Sequence, residues 1–123
     1  MNRLLEHTVL AAHDPATGRF DALRLAKALN LTTKEMADIL HRTSRSLLKN
    51  PDSQQLQSEM ARLVRIIMQL RELLDGSMEY VKIWLRSPHP DLEGRTPLSY
   101  LIEGKPEVVE ALIHAYEVGQ PDT

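Results

Sequence analysis

From Leu56 to Leu74 the apolar residues Leu56, Met60, Leu63, Ile67, Leu70 and Leu74 recur every three or four positions, with Val64 widening the row. This is the repeat of an α-helix, and it is incompatible with a half-buried strand, whose side chains alternate at every second residue. The row persists for about five helical turns, so a long helix with one apolar face is the first fixed element of any fold. Arg62, Arg65 and Arg71 lie largely off the row and read as its solvent side. Asn50-Pro51-Asp52 predicts the start of this helix, with Asn50 as the cap and Pro51 as the first helical residue, where no amide donor is required. The row serves a core, and its length also suits a seam between two copies, so a homodimer or higher assembly is expected.

Shorter helices are predicted on either side. Leu4, Leu5, Val9 and Leu10 have a weak helical spacing that suits a docking segment or dimer arm, and Asp14-Pro15-Ala16-Thr17-Gly18 then breaks the chain. Ala22, Leu23, Ala26 and Leu29, with Leu25 beside them, mark an amphipathic helix. Thr32-Thr33-Lys34-Glu35 fits a capping box: the Thr32 hydroxyl meets a backbone amide and Glu35 reaches back to the cap amide. Met36, Ala37, Ile39 and Leu40 give that helix its apolar face. His41 and Arg42 break it, and Thr43-Ser44 caps another short helix through Lys49. Beyond the long helix, Gly76-Ser77 ends one helix and caps the next, which carries Met78, Val81, Trp84 and Leu85. A Pro-rich elbow follows. Thr96 then caps a helix whose first residue is Pro97, and a last helix after Gly104 starts at Pro106 and carries Val108, Val109, Leu112, Ile113 and Tyr116. No strand alternation or repeat interrupts this series. The fold is therefore expected to be all-α, with an N-terminal helix-turn-helix-like bundle, a long central helix and a small C-terminal helical subdomain. The expected division is an arm over 1–19, a helix-turn-helix region over 20–54 and the long helix with the C-terminal domain over 55–123.

Composition narrows the function classes. A chain of 123 residues, 42% of them hydrophobic, buries one proper core with room for a small subdomain. With no cysteine there is no disulfide, zinc–thiolate site or thiol nucleophile. Glu6 and His7 interrupt Leu4-Leu5 before any apolar run approaches a signal or membrane segment, so the chain reads as soluble and cytoplasmic. His7, His13, His41, His89 and His114 show no metal-ligand spacing, and His89 reads as a solvated loop residue. Gly104-Lys105 lacks the glycine-rich loop of a phosphate site and Ser99 lacks the flanking glycines of a hydrolase nucleophile, so neither an enzyme nor a cofactor is expected. Charge is uneven. Residues 1–74 carry 11 Lys and Arg against 8 Asp and Glu, a balance of +3, while residues 75–123 carry 4 against 9, a balance of −5. A basic half suits phosphates, and an acidic half suits a protein partner or a cationic cleft.

Thr33 to Asn50 is the helix-turn-helix candidate, with Ala37 as the small residue that lets two helices approach and Leu40 and Leu47 as their shared core. Its turn carries His41 and Arg42 where such turns commonly have Gly and an apolar residue. If the second helix enters a major groove, Ser44, Arg45, Ser46 and Lys49 are its contacts, with Thr33 and Arg42 near phosphates.

The most specific stretch is C-terminal: Trp84-Leu85, Pro88, Gly94, Thr96-Pro97-Leu98, Gly104, Val108 with Leu112, and Gly119. In this order these residues resemble the C-terminal toxin-binding domain of the Xre/MbcA/ParS antitoxin family. The resemblance implies an antitoxin that binds a RES-domain toxin, one that consumes NAD or ADP-ribosylates a protein, and blocks its active-site entrance. It also implies autoregulatory binding of operator DNA by the helix-turn-helix. Arg95, Tyr100, Tyr116 and the end of the chain, Gly119, Gln120, Pro121, Asp122 and Thr123, are the expected toxin contacts, since Tyr and Arg are common interface anchors. Trp84, Pro97 and Leu98 read first as a structural corner. A stand-alone helix-turn-helix repressor without a toxin is the alternative.

Overall fold

The computed structural model describes residues 12–119. Leu4, Leu5, His7, Val9, Leu10 and the tail residues Gln120, Pro121, Asp122 and Thr123 lie outside the described residues. Within them the fold is all-α, with seven helices and no strand: α1 (Ala22–Ala28), α2 (Thr33–Leu40), α3 (Ser44–Lys49), α4 (Gln57–Leu73), α5 (Met78–Leu85), α6 (Pro97–Ile102) and α7 (Pro106–Glu117). Two compact units are present, and the division between them falls inside α4, after Val64.

Most helix starts follow from local capping chemistry. Asp21, itself buried, accepts from the amides of Leu23 and Arg24 and so opens α1. Both capping-box bonds at α2 form: the Glu35 amide donates to Thr32 Oγ1 at 3.0 Å, and the Thr32 amide donates to Glu35 Oε1 at 2.9 Å. Thr43 caps α3 and Ser77 caps α5 in the same way. In the N-terminal unit α1, α2 and α3 pack against one another. Leu25, Ala26, Met36, Ala37, Leu40 and Leu47 are buried there, Leu47 completely.

The long helix starts later than Asn50-Pro51 predicts. The Asn50 amide closes α3 on the Ser46 carbonyl at 3.0 Å, and the Pro51 carbonyl accepts from Ala22, the first amide of α1, at 2.8 Å. Tied in this way, Pro51 does not open a helix. Ser53 instead caps a single 3-10 turn, Gln54–Leu56, from which α4 continues. The side chain of Gln57, the first residue of α4, clasps the backbone of Phe20 by accepting from its amide at 2.8 Å and donating to its carbonyl at 2.9 Å.

The end of α4 departs from the expected pattern in a second way. Arg71, placed off the apolar row by its spacing, is only 7% exposed. Its Nε donates to the Gly76 carbonyl at 2.7 Å, while the Gly76 amide donates to the Arg71 carbonyl at 2.7 Å. One side chain thereby closes the turn in which Asp75 and Gly76 both take left-handed backbone, with φ of 59° and 78°. Glycine enters that region without steric cost, which is why the turn carries one.

In the C-terminal unit α6 packs on both α5 and α7. Val81, Leu85, Pro97, Leu98, Leu101, Val109 and Ile113 are all at most 5% exposed. No helix among the described residues is long and apolar enough to cross a membrane.

Candidate functional site

The elbow between α5 and α6 is built by its own backbone. The His89 amide donates to the Arg95 carbonyl at 3.1 Å and the Gly94 amide returns to the His89 carbonyl at 2.9 Å, closing a loop around the 3-10 turn Pro90–Leu92. Leu92, the last residue of that turn, is 5% exposed. Thr96 Oγ1 accepts from the Ser99 amide at 3.1 Å and Pro97 takes the first helical position, as their order predicts. Pro97 and Leu98 are buried corner residues. Trp84 is only half-buried, and its ring tilts against the His89 ring with centroids 4.8 Å apart. His89 is correspondingly not a solvated loop residue. It is half-buried, and its Nε2 is buried without a hydrogen-bond partner.

Two of the expected toxin contacts come together next to this elbow. The Arg95 guanidinium lies 4.1 Å from the centroid of the Tyr100 ring, donates to Ser99 Oγ at 3.2 Å and pairs with Glu103. Lys105 adds a looser contact to Glu103 at 3.8 Å. The bond to Glu103 is the main reason that the Arg95 pKa lies above its ordinary value. Arg95 and Tyr100 therefore form one preorganised unit held by α6, instead of two independent anchors.

Tyr116 sits on α7 and is half-buried. Burial, and after it the negative charge of Asp91, raise its phenol pKa above the ordinary value, so the hydroxyl stays protonated as a donor through neutral pH. Gly119, one turn on, is exposed and left-handed with φ of 77°, and Val118 beside it is 66% exposed.

The residues expected to touch DNA fall on one small segment of the N-terminal unit. Thr33 opens α2, and Ser44, Arg45, Ser46 and Lys49 lie on α3, where Arg45, Ser46 and Lys49 are exposed and Ser44 is half-buried. The turn between the helices is His41 to Thr43. His41 takes the left-handed position, φ 56°, that such turns commonly give to glycine. Arg42 is less available than its sequence position suggests: it donates to the carbonyls of Leu40 and His41 at 2.9 and 3.2 Å and pairs with Glu59 at 3.7 Å. Among the described residues no cluster of three or more His, Asp or Glu side chains is arranged to hold a metal ion.

The best-defined local feature of this all-helical protein is the capped elbow between α5 and α6. Residues 69–119 match the family model of the antitoxin Xre/MbcA/ParS C-terminal toxin-binding domain. The matched segment is thus similar to a toxin-binding domain of antitoxins. No curated protein and no solved structure matches the chain.

Sequence reasoning missed the exposed apolar pair on α5, Tyr80 and Ile83, which are 59% and 60% exposed. Their spacing continued the helical pattern of Met78, Val81, Trp84 and Leu85. The separation of an inward from an outward apolar face depends on where α6 lies.

Proposed function

We propose that this chain is the antitoxin of a toxin–antitoxin pair whose toxin is a RES-domain protein that consumes NAD or ADP-ribosylates a target, and that it acts by blocking access to the toxin's active site. The observation that carries this reading is the family match over 69–119. The contact surface in this reading includes the Arg95–Tyr100 unit, Tyr116, Gly119 and the tail Gln120, Pro121, Asp122 and Thr123, an acidic end suited to a cleft shaped for the phosphates of NAD. The complex forms in the cytoplasm, with the antitoxin as a homodimer or in a higher hetero-oligomer. The domain division at 19/20 and 54/55 belongs to the same proposal.

The test is co-expression with the product of the adjacent gene, followed by an NAD-consumption assay of that product with and without the chain. A stable complex that loses NAD-consuming activity supports the reading. Truncation after Gly119 is expected to weaken inhibition, and full neutralisation by the truncated chain would remove the tail from the mechanism. If the neighbour is an active toxin that the chain neither binds nor inhibits, a stand-alone repressor becomes the better account.

Operator binding through Thr33, Arg42, Ser44, Arg45, Ser46 and Lys49 completes the proposal as autoregulation. It is supported by the placement of Arg45 and Lys49 one turn apart on the exposed face of α3 and by the +3 balance of residues 1–74. In a gel-shift assay on the upstream region of its own operon, Arg45→Ala is expected to weaken binding about tenfold or more, within the ~1–3 kcal/mol span of a base contact. Equal shifts by the wild type and the variant would exclude α3 as the reading helix.

A further inference from the structure

Tyr80 and Ile83 stand one turn apart on α5, each with well over half of its surface in solvent, while Val81 and Leu85 on the same helix are 0% and 1% exposed. The inward pair pins the helix against its own unit. The outward pair consequently projects from a rigid support, and Trp84, half-buried and four residues after Tyr80, borders it. An aromatic and a branched aliphatic side chain held this way lose little conformational freedom on association, a feature of residues that dominate interfaces.

We infer that the Tyr80–Ile83 face of α5, bordered by Trp84, is the apolar centre of the toxin contact, and that it meets an apolar hollow with a cationic margin on the toxin. This rests on the toxin-binding reading and names the surface through which it acts. Two observations select the occupant. The face lies inside residues 69–119, the segment that matches a toxin-binding domain. Residues 75–123 also carry 4 basic against 9 acidic side chains, a balance of −5, so the segment that bears the face is acidic as a whole and a partner with a cationic margin, such as one adapted to the phosphates of a dinucleotide, is complementary to it. On α5 itself the only charges, Lys82 and Glu79, pair at 3.3 Å and cancel, so the centre of the face is apolar and the acidic groups lie outside it.

The experiment measures the affinity of the full chain for the purified product of the adjacent gene, with wild type, Tyr80→Ala, the Tyr80→Ala/Ile83→Ala double variant, and Leu48→Ala as a control at an equally exposed apolar residue on α3. Tyr80→Ala is expected to raise Kd about thirtyfold and the double variant further, the range of interface hot spots. Thermal melts of the variants should coincide with the wild type because the side chains removed are exposed. Hydrogen–deuterium exchange on the wild-type complex supplies a reading independent of any variant: residues 78–85 should gain protection on binding. Wild-type binding with an unchanged Kd in the double variant and no added protection at 78–85 would overturn the inference and leave the toxin-binding reading intact. Absence of binding and inhibition by the wild type would overturn both.

Discussion

Ile113→Ala is expected to destabilise the C-terminal unit by about 2–5 kcal/mol, the range for deleting most of a buried aliphatic side chain and leaving a partly collapsed cavity. Ile113 is 1% exposed on α7 and belongs to the same buried set as Val109, Leu101 and Leu98. Single domains are stable by only about 5–15 kcal/mol, and a unit of this size sits toward the lower end, so the variant should melt many degrees below the wild type. Circular dichroism melts of the whole chain check this. A loss under about 1 kcal/mol would mean that α7 is not packed as described. Toxin binding should fail in parallel with folding, and it is this parallel loss that separates a core residue from Tyr80, where binding is expected to fall while the melt stays in place.

The second large effect belongs to Arg71. Its Nε bond to the Gly76 carbonyl closes a turn of two left-handed residues, and the side chain is nearly buried. Arg71→Met keeps much of the apolar stem and removes every guanidinium donor, so its cost, about 1.5–3 kcal/mol or more, measures what the charged head contributes, the bond to Gly76 included. Arg71→Lys should recover little of it, because an ammonium on a longer flexible stem cannot reproduce the planar donor at Nε. Chemical denaturation of the three proteins decides the matter. A denaturation midpoint indistinguishable from the wild type in Arg71→Met would show that the Arg71 head is not needed to hold the α4–α5 turn.

Arg71 also marks where sequence reading stops being sufficient. Features whose cause lies within four residues were legible: the Thr32–Glu35 capping box, the Thr43 and Ser77 caps, and Thr96-Pro97 at the head of α6 all occur as their spacing predicts. Features decided by a distant partner were not. Asn50-Pro51 has the composition of a helix start, yet the Pro51 carbonyl is claimed by Ala22 and the start moves to Ser53. Arg71 has the periodicity of a solvent-facing residue, yet a carbonyl five residues on draws it inward. His89 has the setting of a loop residue, yet Trp84 lies against its ring. For the candidate site, Arg95 and Tyr100 were identifiable as anchor types. Their joining through Glu103 and Ser99 depends on the elbow's geometry, which no residue spacing encodes.

The closest helix packings join elements near in the chain: α1, α2 and α3 among themselves, α6 with α5 before it and α7 after it. At the second junction Gly104 alone turns the backbone, its amide returning to the Leu101 carbonyl at 3.1 Å while the Lys105 amide returns to Tyr100 at 2.9 Å. Apart from the Ala22–Pro51 bond and the Phe20–Gln57 clasp, these packings close short loops, and helical domains rich in local contacts fold on the order of microseconds to milliseconds. Synthesis adds a residue only every ~50–200 milliseconds. Folding thus keeps pace with synthesis, each unit closing as soon as its own last helix has emerged, and the protein is ready for its partner almost as soon as it leaves the ribosome.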